Sequence, residues 1–425
     1  LGYSEYEVVV TDVSTAAKRS VAIVCASGDF GDLVVESISV RLAEPNGTIT
    51  DNTATWDITP TNYYTYRGPL IEEARTNLLA YSSEFDNAYW TKSLVTVTAN
   101  ATTAPYGTFT ADKLVSISGA SFGIYNSVAL TSGSHTSSVY AKDSGMGYIK
   151  LSWGGEANDT DYAIFNLSNG TITGGVYAGA NIIDIGDGWY RCSVFTTAIT
   201  TGTEAIYYQV QESPTASRFQ TYTGDGTSGI YLWGAQLEQG SYSTSYIPTN
   251  GAVATRLADA CNSAGTSDTF NDSEGVLMAE ISALDNSEVA VRTISIINSS
   301  STGNLVRLYY INNKIVANVK VGGVTTFEYA HTLSSEIEFI KLGLKYKQND
   351  FAFWVNGIEV DSDLIGNTPT GLSVLSFDYA GGSDFYGNTK QLQYYNSALN
   401  DLDLETLTSW VSFQDMAEGQ LYTIE

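Results

Sequence analysis

The chain of 425 residues has few of the side chains from which metal sites and histidine-dependent catalytic sites are built. It contains three cysteines and two histidines. Cys25, Cys192 and Cys261 lie far apart without a C-x-x-C pair, so we expect neither a disulfide framework nor a cysteine zinc site. His135 and His331 fall in different predicted domains, which argues against a histidine-based catalytic triad.

Positive charge and long apolar runs are also scarce. Lys and Arg number 20 against 46 Asp and Glu, a formal net charge of -26. Such a surface repels phosphate backbones and anionic lipids, so we expect neither nucleic acid nor a membrane surface as a partner. No apolar run approaches the roughly 20 residues that span a bilayer. Leu1 begins no signal segment, which we interpret as processing, truncation or export by another route.

The residues that are abundant favour β-structure. The chain has 39 glycines and 29 tyrosines, beside Ser- and Thr-rich runs, which is typical of strands joined by tight turns. Alternating apolar patterns dominate, and the length is too great for one ordinary core. We predict an all-β protein of tandem antiparallel β-sandwich (jelly-roll) domains with one short C-terminal helix.

The strand and turn patterns divide the chain into four segments. We predict a small β-domain or anchoring segment over 1–70 and a first sandwich over 77–249. A linker is predicted over 250–271, because its polar run Asn262–Asp268 buries little apolar area. The second sandwich is predicted over 272–425.

The last segment carries the clearest patterns. Strands over 305–311, 314–321 and 324–329 are joined by Asn312-Asn313 and Gly322-Gly323, residues that adopt positive φ at low cost. Leucines recur with helical spacing near the C-terminus, behind Ser397 or Asn400 as the cap. This spacing predicts a helix within 398–410.

Two resemblances to known families follow from these motifs. The first sandwich resembles the carbohydrate-binding-module-like jelly-roll common in structural proteins of tailed bacteriophages, through 77–90, 186–191 and 229–238. The second resembles laminin-G-like, concanavalin-A-like jelly-rolls, through 342–344, 354–360 and 393–399. Both folds host many functions.

The resemblances imply a virion structural or adhesion protein, a fibre, spike or head decoration that binds glycan on the host surface. The expected partners are host-surface polysaccharide, other virion proteins and further copies of the chain, with a homotrimer favoured, and the expected location is the virion surface. A secreted bacterial polysaccharide-binding protein is the alternative, and a polysaccharide hydrolase or lyase is a third.

Acidic residues suggest a structural calcium ion. In modules similar to the first sandwich, calcium often ties the first strand segment to the last, and the matching positions here are Glu84, Asp86 and Glu238. Acidic side chains and carbonyls are the oxygen ligands that calcium takes. The alternative is a capped turn without an ion.

Paired carboxylates for glycoside cleavage are incomplete. Glu84-Phe85-Asp86 begins like the E-x-D-x-x-E signature of jelly-roll glycosidases, but Tyr89 stands where the second glutamate is required. Glu359, Asp361 and Asp363 are expected to share one strand face as solvated residues. We therefore expect no enzymatic activity.

Aromatic side chains are the remaining candidates, because sugar rings stack on exposed Trp and Tyr. The predicted carbohydrate contacts are Trp153 and the Gly-rich loop residues Tyr379, Asp384, Phe385 and Tyr386. Three further tyrosines cluster in a turn-rich stretch: Tyr63, Tyr64 and Tyr66. We expect core packing for the strand tryptophans Trp90, Trp189, Trp233 and Trp354.

Overall fold

A computed structural model describes residues 69–117, 119–155, 161–285, 291–299 and 301–410. The chain divides into two compact units, 1–63 and 64–425. All but the last two residues of the predicted N-terminal segment lie outside the described residues, as do Cys25, Tyr63, Tyr64 and Tyr66. Within the described part of the second unit, the regular secondary structure is almost entirely antiparallel strand, as predicted.

The strands are β1 (Leu70–Ile71), β2 (Arg75–Asn77), β3 (Thr91–Ser93), β4 (Val95–Thr102), β5 (Ala111–Ser116), β6 (Gly119–Ser121), β7 (Gly123–Leu130), β8 (Gly133–Ser144), β9 (Tyr148–Gly155), β10 (Tyr162–Asn166), β11 (Thr171–Val176), β12 (Gly179–Gly186), β13 (Trp189–Ile199), β14 (Gly202–Gln211), β15 (Tyr222–Gly224), β16 (Gly229–Gln239), β17 (Ala254–Arg256), β18 (Glu274–Ala283), β19 (Arg292–Asn298), β20 (Ser301–Ile311), β21 (Lys314–Val321), β22 (Val324–Thr332), β23 (Ile340–Lys347), β24 (Phe351–Val355), β25 (Ile358–Asp363), β26 (Val374–Ser376) and β27 (Gly387–Tyr395). One helix, α1 (Asp401–Thr408), follows them.

The first sandwich consists of two six-stranded sheets, ordered β11-β10-β9-β14-β7-β3 and β12-β13-β8-β16-β5-β4. Side chains from alternate positions of both sheets form its core, including Leu151 and Tyr208 from one sheet and Val139 and Leu237 from the other. Trp90, from the turn before β3, is buried among them. The alternation follows from the strand period of two, which sends successive side chains to opposite faces.

The second sandwich pairs the sheet β1-β27-β18-β23-β24-β25 with the sheet β22-β21-β20-β19-β26. Its core draws Leu342, Leu344 and Tyr346 from β23 and Val306 and Leu308 from β20. The predicted turns have the expected geometry: Asn312 and Asn313 have φ of 52° and 57°. These turns bring β20 and β21 into direct register, with Ile311 opposite Lys314.

The C-terminal helix is confirmed and covers the outer face of the first of these two sheets. Asn400 caps it, since its side chain accepts a hydrogen bond from the Asp403 backbone N–H at 3.0 Å. Leu404 is fully buried and packs with Val276, Ala352 and Trp354. No helix among the described residues is both long enough and apolar enough to cross a membrane.

The two sandwiches are interleaved along the chain. Leu70 and Ile71 pair with Asn388 and Gly387 in the second sandwich, although they precede the first in sequence. Strand β17, inside the predicted linker, pairs with β2. Farther along the same segment, Phe270 is buried in the second core. The predicted linker is therefore attached to the folded body at these points, although its residues 257–269 are exposed.

The strand tryptophans and Cys192 are buried, as predicted. Trp189 and Trp233 do not lie between the sheets of the first sandwich, however. They pack with Tyr140 in a separate cluster, over which Tyr106 places its ring at 5.2 Å from that of Trp233. An outer sheet face covered in this way explains why these alternate strand positions are also apolar.

Candidate functional site

The predicted calcium ligand Glu238 is buried and already hydrogen-bonded. Its carboxylate accepts from the Thr244 backbone N–H, from the Thr244 hydroxyl at 2.8 Å and from the Gln236 amide at 2.8 Å. Burial raises its pKa above the usual range, against these hydrogen bonds. Glu238 thus closes the turn after β16, and its role as a calcium ligand stays a prediction.

At the turn that carries Glu84 and Asp86, the ammonium group of Lys92 contacts backbone carbonyls that a calcium ion could otherwise bind. Lys92 Nζ donates to the backbone carbonyl of Asp86 at 2.8 Å and to that of Asn87. On the other side, the Asp112 carboxylate accepts from the backbone N–H groups of Phe85 and Asp86. Among the residues that the structure describes, no three Asp, Glu, His or Cys side chains gather to hold a metal ion. The contacts of Lys92 and Asp112 are those of a capped turn, the alternative to the calcium site, and the calcium ion stays a prediction.

Two of the predicted sugar platforms are wrong because their rings are inside the cores. Trp153 is 0% exposed and shares the inward face of β9 with Ile149 and Leu151. Phe385 is 1% exposed and packs against Tyr310 and Phe377. Neither ring can present a face to a sugar in this fold.

The other two predicted aromatic contacts, Tyr386 and Tyr379, have different surroundings. Tyr386 is half-buried against the second core, and its hydroxyl donates to the half-buried Asp384 at 3.1 Å. Tyr379 is half-exposed, with the Arg307 guanidinium 4.7 Å from its ring centroid. Both tyrosines are partly exposed, and Tyr379 differs in contacting Arg307 where Tyr386 packs against the second core.

Arg307 and Tyr379 belong to a surface that we call the arginine face, formed by Arg307, Tyr309, Asn318, Glu328 and Tyr379. The Arg307 guanidinium also lies 4.4 Å from the Tyr309 ring centroid. Its Nε donates to the Asn318 side-chain oxygen at 3.1 Å, and the Asn318 amide donates to Glu328 at 2.9 Å. The strand register aligns Arg307, Asn318 and Glu328 on β20, β21 and β22.

The first sandwich exposes a second surface, the tyrosine patch, formed by Phe122, Tyr125, Tyr207 and Phe219. Tyr125 and Tyr207 are cross-strand partners whose ring centroids lie 4.9 Å apart, tilted by 31°. Phe219 meets the Tyr207 ring edge-on at 5.5 Å and is 47% exposed. The rings stand on the outer sheet face, because Ile206 and Tyr208 take the inward positions of the same strand.

A surface segment, the strap (212–221), supplies Phe219 to this patch. The strap is held by Lys150, whose Nζ donates to the Ser217 carbonyl at 2.8 Å, and by the Gln211 amide, which donates to the Gln220 carbonyl at 3.1 Å. Lys150 is fully buried beneath it, and desolvation lowers its pKa to about 7. Gly154 lies beside the patch, where a Cβ atom would come within 2.6 Å of the Tyr207 ring.

The carboxylates of β25 do not share one face as predicted. Glu359 pairs with Trp354, whereas Asp361 pairs with Phe353, so a β-bulge interrupts the alternation between them. Phe353 lies in the inner core and Trp354 in the cluster beneath the helix. Since cross-strand partners lie on the same face, the bulge puts Glu359 and Asp361 on opposite faces.

The alternation of inward and outward residues along a strand could have identified the outward residues of both surfaces from the sequence. Val306, Leu308 and Tyr310 alternate as inward residues of a predicted strand, which leaves Arg307 and Tyr309 on the other face. Tyr207 is set apart from Ile206 and Tyr208 in the same way. Only the pairing of strands distant in sequence brings Tyr125 beside Tyr207, and only the tertiary packing of a loop brings Tyr379 beside Arg307.

The chain matches no protein-family model and no curated protein. Among solved structures, it is similar to the CBM40 domain of the Ruminococcus gnavus IT-sialidase, at 16% identity. That match covers 35% of this chain and 94% of the domain, with a TM-score of 0.29.

Two further matches are of the same kind. The NanB sialidase of Streptococcus pneumoniae is 13% identical over 36% of this chain, with a TM-score of 0.28, and the match spans only 28% of the sialidase. The binding domain of botulinum neurotoxin DC, in complex with SialylT, is 12% identical, with 36% of this chain and 42% of that one covered and a TM-score of 0.27. Such scores show neither a shared ligand nor a shared activity.

Proposed function

We propose that the chain is a non-catalytic glycan-binding protein and that the tyrosine patch is its contact with the sugar. The observation that carries this proposal is a pair of partly exposed tyrosine rings, Tyr125 and Tyr207, side by side on the outer face of a sheet. Aromatic rings of this kind are usually buried or covered, and the apolar face of a pyranose ring stacks on them.

The surroundings of the patch favour a saccharide over a protein partner. Phe122 and Phe219 border the two tyrosines, and Arg218 stacks its guanidinium 4.1 Å from the Phe219 ring centroid. Aromatic platforms with a few polar groups at their edge are the arrangement by which sugars are oriented. The Tyr125 and Tyr207 rings are anchored on strands β7 and β14, so little conformational entropy is lost when a ligand stacks on them.

We further propose that binding serves attachment of a virion to its host, as a fibre, spike or decoration protein. The support is the resemblance of three segments of the first sandwich to phage structural proteins, stated above. Single sandwiches bind sugars weakly, and a symmetric assembly such as a trimer repeats the site and raises avidity without new contacts. A secreted polysaccharide-binding protein of a bacterium is the alternative, which capsid or tail genes beside the coding sequence would exclude.

The test is a glycan array with the intact chain, followed by calorimetry on the best neutral oligosaccharide. Tyr125→Ala and Tyr207→Ala should each weaken binding by about twofold to tenfold, because one ring-face contact contributes about 0.5–1.5 kcal/mol. Tyr177→Ala is the matched control, since Tyr177 is an exposed tyrosine outside the patch.

Three results would contradict the proposal. Binding that Tyr125→Ala and Tyr207→Ala leave unchanged would place the site elsewhere, and the absence of binding to any glycan would reject the function. Release of new reducing ends from the bound glycan would show that the chain is an enzyme.

A further inference from the structure

Arg307 is positioned by two tyrosine rings and by one hydrogen bond of its Nε. These contacts do not use its two terminal nitrogens. Tyr309 and Tyr379 lie 4.4 Å and 4.7 Å from the guanidinium carbon, measured to their ring centroids. Asn318 accepts the hydrogen bond of Nε at 3.1 Å. The stacked rings and the Nε bond fix the plane of the fork while its two terminal NH₂ groups remain available.

Three other arginines differ from Arg307 because each of them forms an ion pair, whereas Arg191, like Arg307, lies over a tyrosine ring, that of Tyr140, at 5.3 Å. Arg256 pairs with Glu72 at 3.3 Å, Arg292 pairs with Glu336 at 2.8 Å, and Arg75 pairs with Glu73. Arg307 forms no ion pair with any carboxylate in the described part of the chain. In a protein with 46 acidic residues against 20 basic ones, Arg307 is a partly exposed guanidinium without a carboxylate partner among the described residues.

Asn318 keeps the nearest acidic side chain of the row away from the fork. Glu328 is two strands from Arg307 in the same register, which separates their backbones by about 10 Å. Its carboxylate accepts from the Asn318 amide, and Asn318 is fully buried between the two. The neutral Asn318 side chain therefore hydrogen-bonds both Arg307 and Glu328, and the two charged groups form no direct ion pair.

We propose that the arginine face binds the carboxylate of an acidic sugar residue, a uronate, through the terminal NH₂ groups of Arg307, with the Tyr379 ring beside the pyranose. A guanidinium fork matches the two oxygens of a carboxylate, and its fixed orientation lowers the entropy lost on binding. The inference rests on the proposed glycan-binding function but uses a surface separate from the tyrosine patch.

The net charge of the chain does not prevent this contact. The charge of -26 opposes the approach of a polyanion, so binding should be weak at low ionic strength. At physiological ionic strength the screening length is about 8 Å, so that groups close to Arg307 determine the interaction. Raising salt from a very low concentration should first strengthen binding, opposite to the behaviour of a basic surface.

The experiment compares oligomers of galacturonate, glucuronate and mannuronate with their carboxyl-reduced forms, which keep the sugar ring and lose the charge. Binding to the intact chain is measured by calorimetry for the wild type, Arg307→Gln, Arg307→Lys and Tyr379→Ala. Lys314→Gln is the control, because it removes one positive charge from an exposed position in the same sheet. Thermal melting establishes that each variant is folded.

We expect the wild type to bind at least one uronate oligomer about tenfold or more tightly than its reduced form. Arg307→Gln should abolish the difference, and Arg307→Lys should restore only part of it, since an ammonium lacks the fork. Tyr379→Ala should weaken both forms, and Lys314→Gln should change neither.

Equal affinity for the uronate and reduced oligomers would overturn the inference, as would a preference that Arg307→Gln leaves intact. The two proposals fail separately: loss of neutral-glycan binding in Tyr207→Ala with no uronate preference rejects only the acidic-sugar site. A uronate preference that Tyr207→Ala leaves unchanged supports the arginine face as an independent site.

Discussion

Lys150 provides the sharpest prediction about stability, because it is a fully buried lysine whose Nζ holds the strap through the Ser217 carbonyl. No neighbouring charge contributes to its pKa, which desolvation lowers to about 7. The perturbation is Lys150→Met, which keeps most of the side-chain length and removes the titrating amine.

The sign of the pH effect follows from the proton balance. An unfolded lysine titrates near pKa 10.4, so between about pH 7 and pH 10 the unfolded chain binds a proton that the folded one lacks. Stability should therefore rise with pH through this window, by about 2 kcal/mol between pH 7 and pH 9. Below about pH 6 both states bind the proton, and the slope from this group should vanish.

Denaturant unfolding of the intact chain from about pH 6 to pH 9 measures this effect as a difference between variants. Other groups titrate in both proteins, so the free energy of unfolding of the wild type minus that of Lys150→Met isolates the lysine. Lys314→Met, at an exposed position, should run parallel to the wild type. If the free energy of unfolding changes with pH in the same way in the wild type and Lys150→Met, the lowered pKa of Lys150 is refuted. Water would then reach the amine.

Two further predictions concern the calcium expectation and the cysteines. Chelation should leave the melting temperature unchanged, whereas Lys92→Met should lower it, because Lys92 holds the carbonyls of Asp86 and Asn87; a chelator-induced decrease reversed by calcium would contradict this. A thiol reagent should modify exposed Cys261 in the native chain and Cys192 only after unfolding, because Cys192 is buried and its pKa is raised by desolvation. Fast native modification of Cys192, followed by mass spectrometry, would contradict its burial.

Local patterns predicted β20, β21 and β22 well because these three strands are neighbours in sequence and pair in that order. Asn312-Asn313 and Gly322-Gly323 join β20, β21 and β22 by two-residue turns, which need only the conformational freedom of those residues. The Asn400 cap and Leu404 were sufficient for the helix. Such features depend on interactions within a few residues.

The predicted sites failed where the deciding interaction was distant or a register shift intervened. The identity of Trp153 does not tell whether its ring points inward; the pairing of β9 with β14 places its face in the core. One extra residue at the bulge in β25 separated Glu359 from Asp361. A one-residue shift exchanges the two faces of a strand, and periodicity alone does not reveal it.

The amino-acid sequence by itself determined the all-β class, the strands with their turns, the C-terminal helix and the acidic surface, because alternation, turn residues and charge are local properties. The tertiary structure alone decided which aromatic rings are exposed and what accompanies them. Tyr125 meets Tyr207 across β7 and β14, and Tyr379 meets Arg307 from a loop 72 residues farther along the chain. These contacts form only when sheets pack, since burial depends on the partner that covers each face.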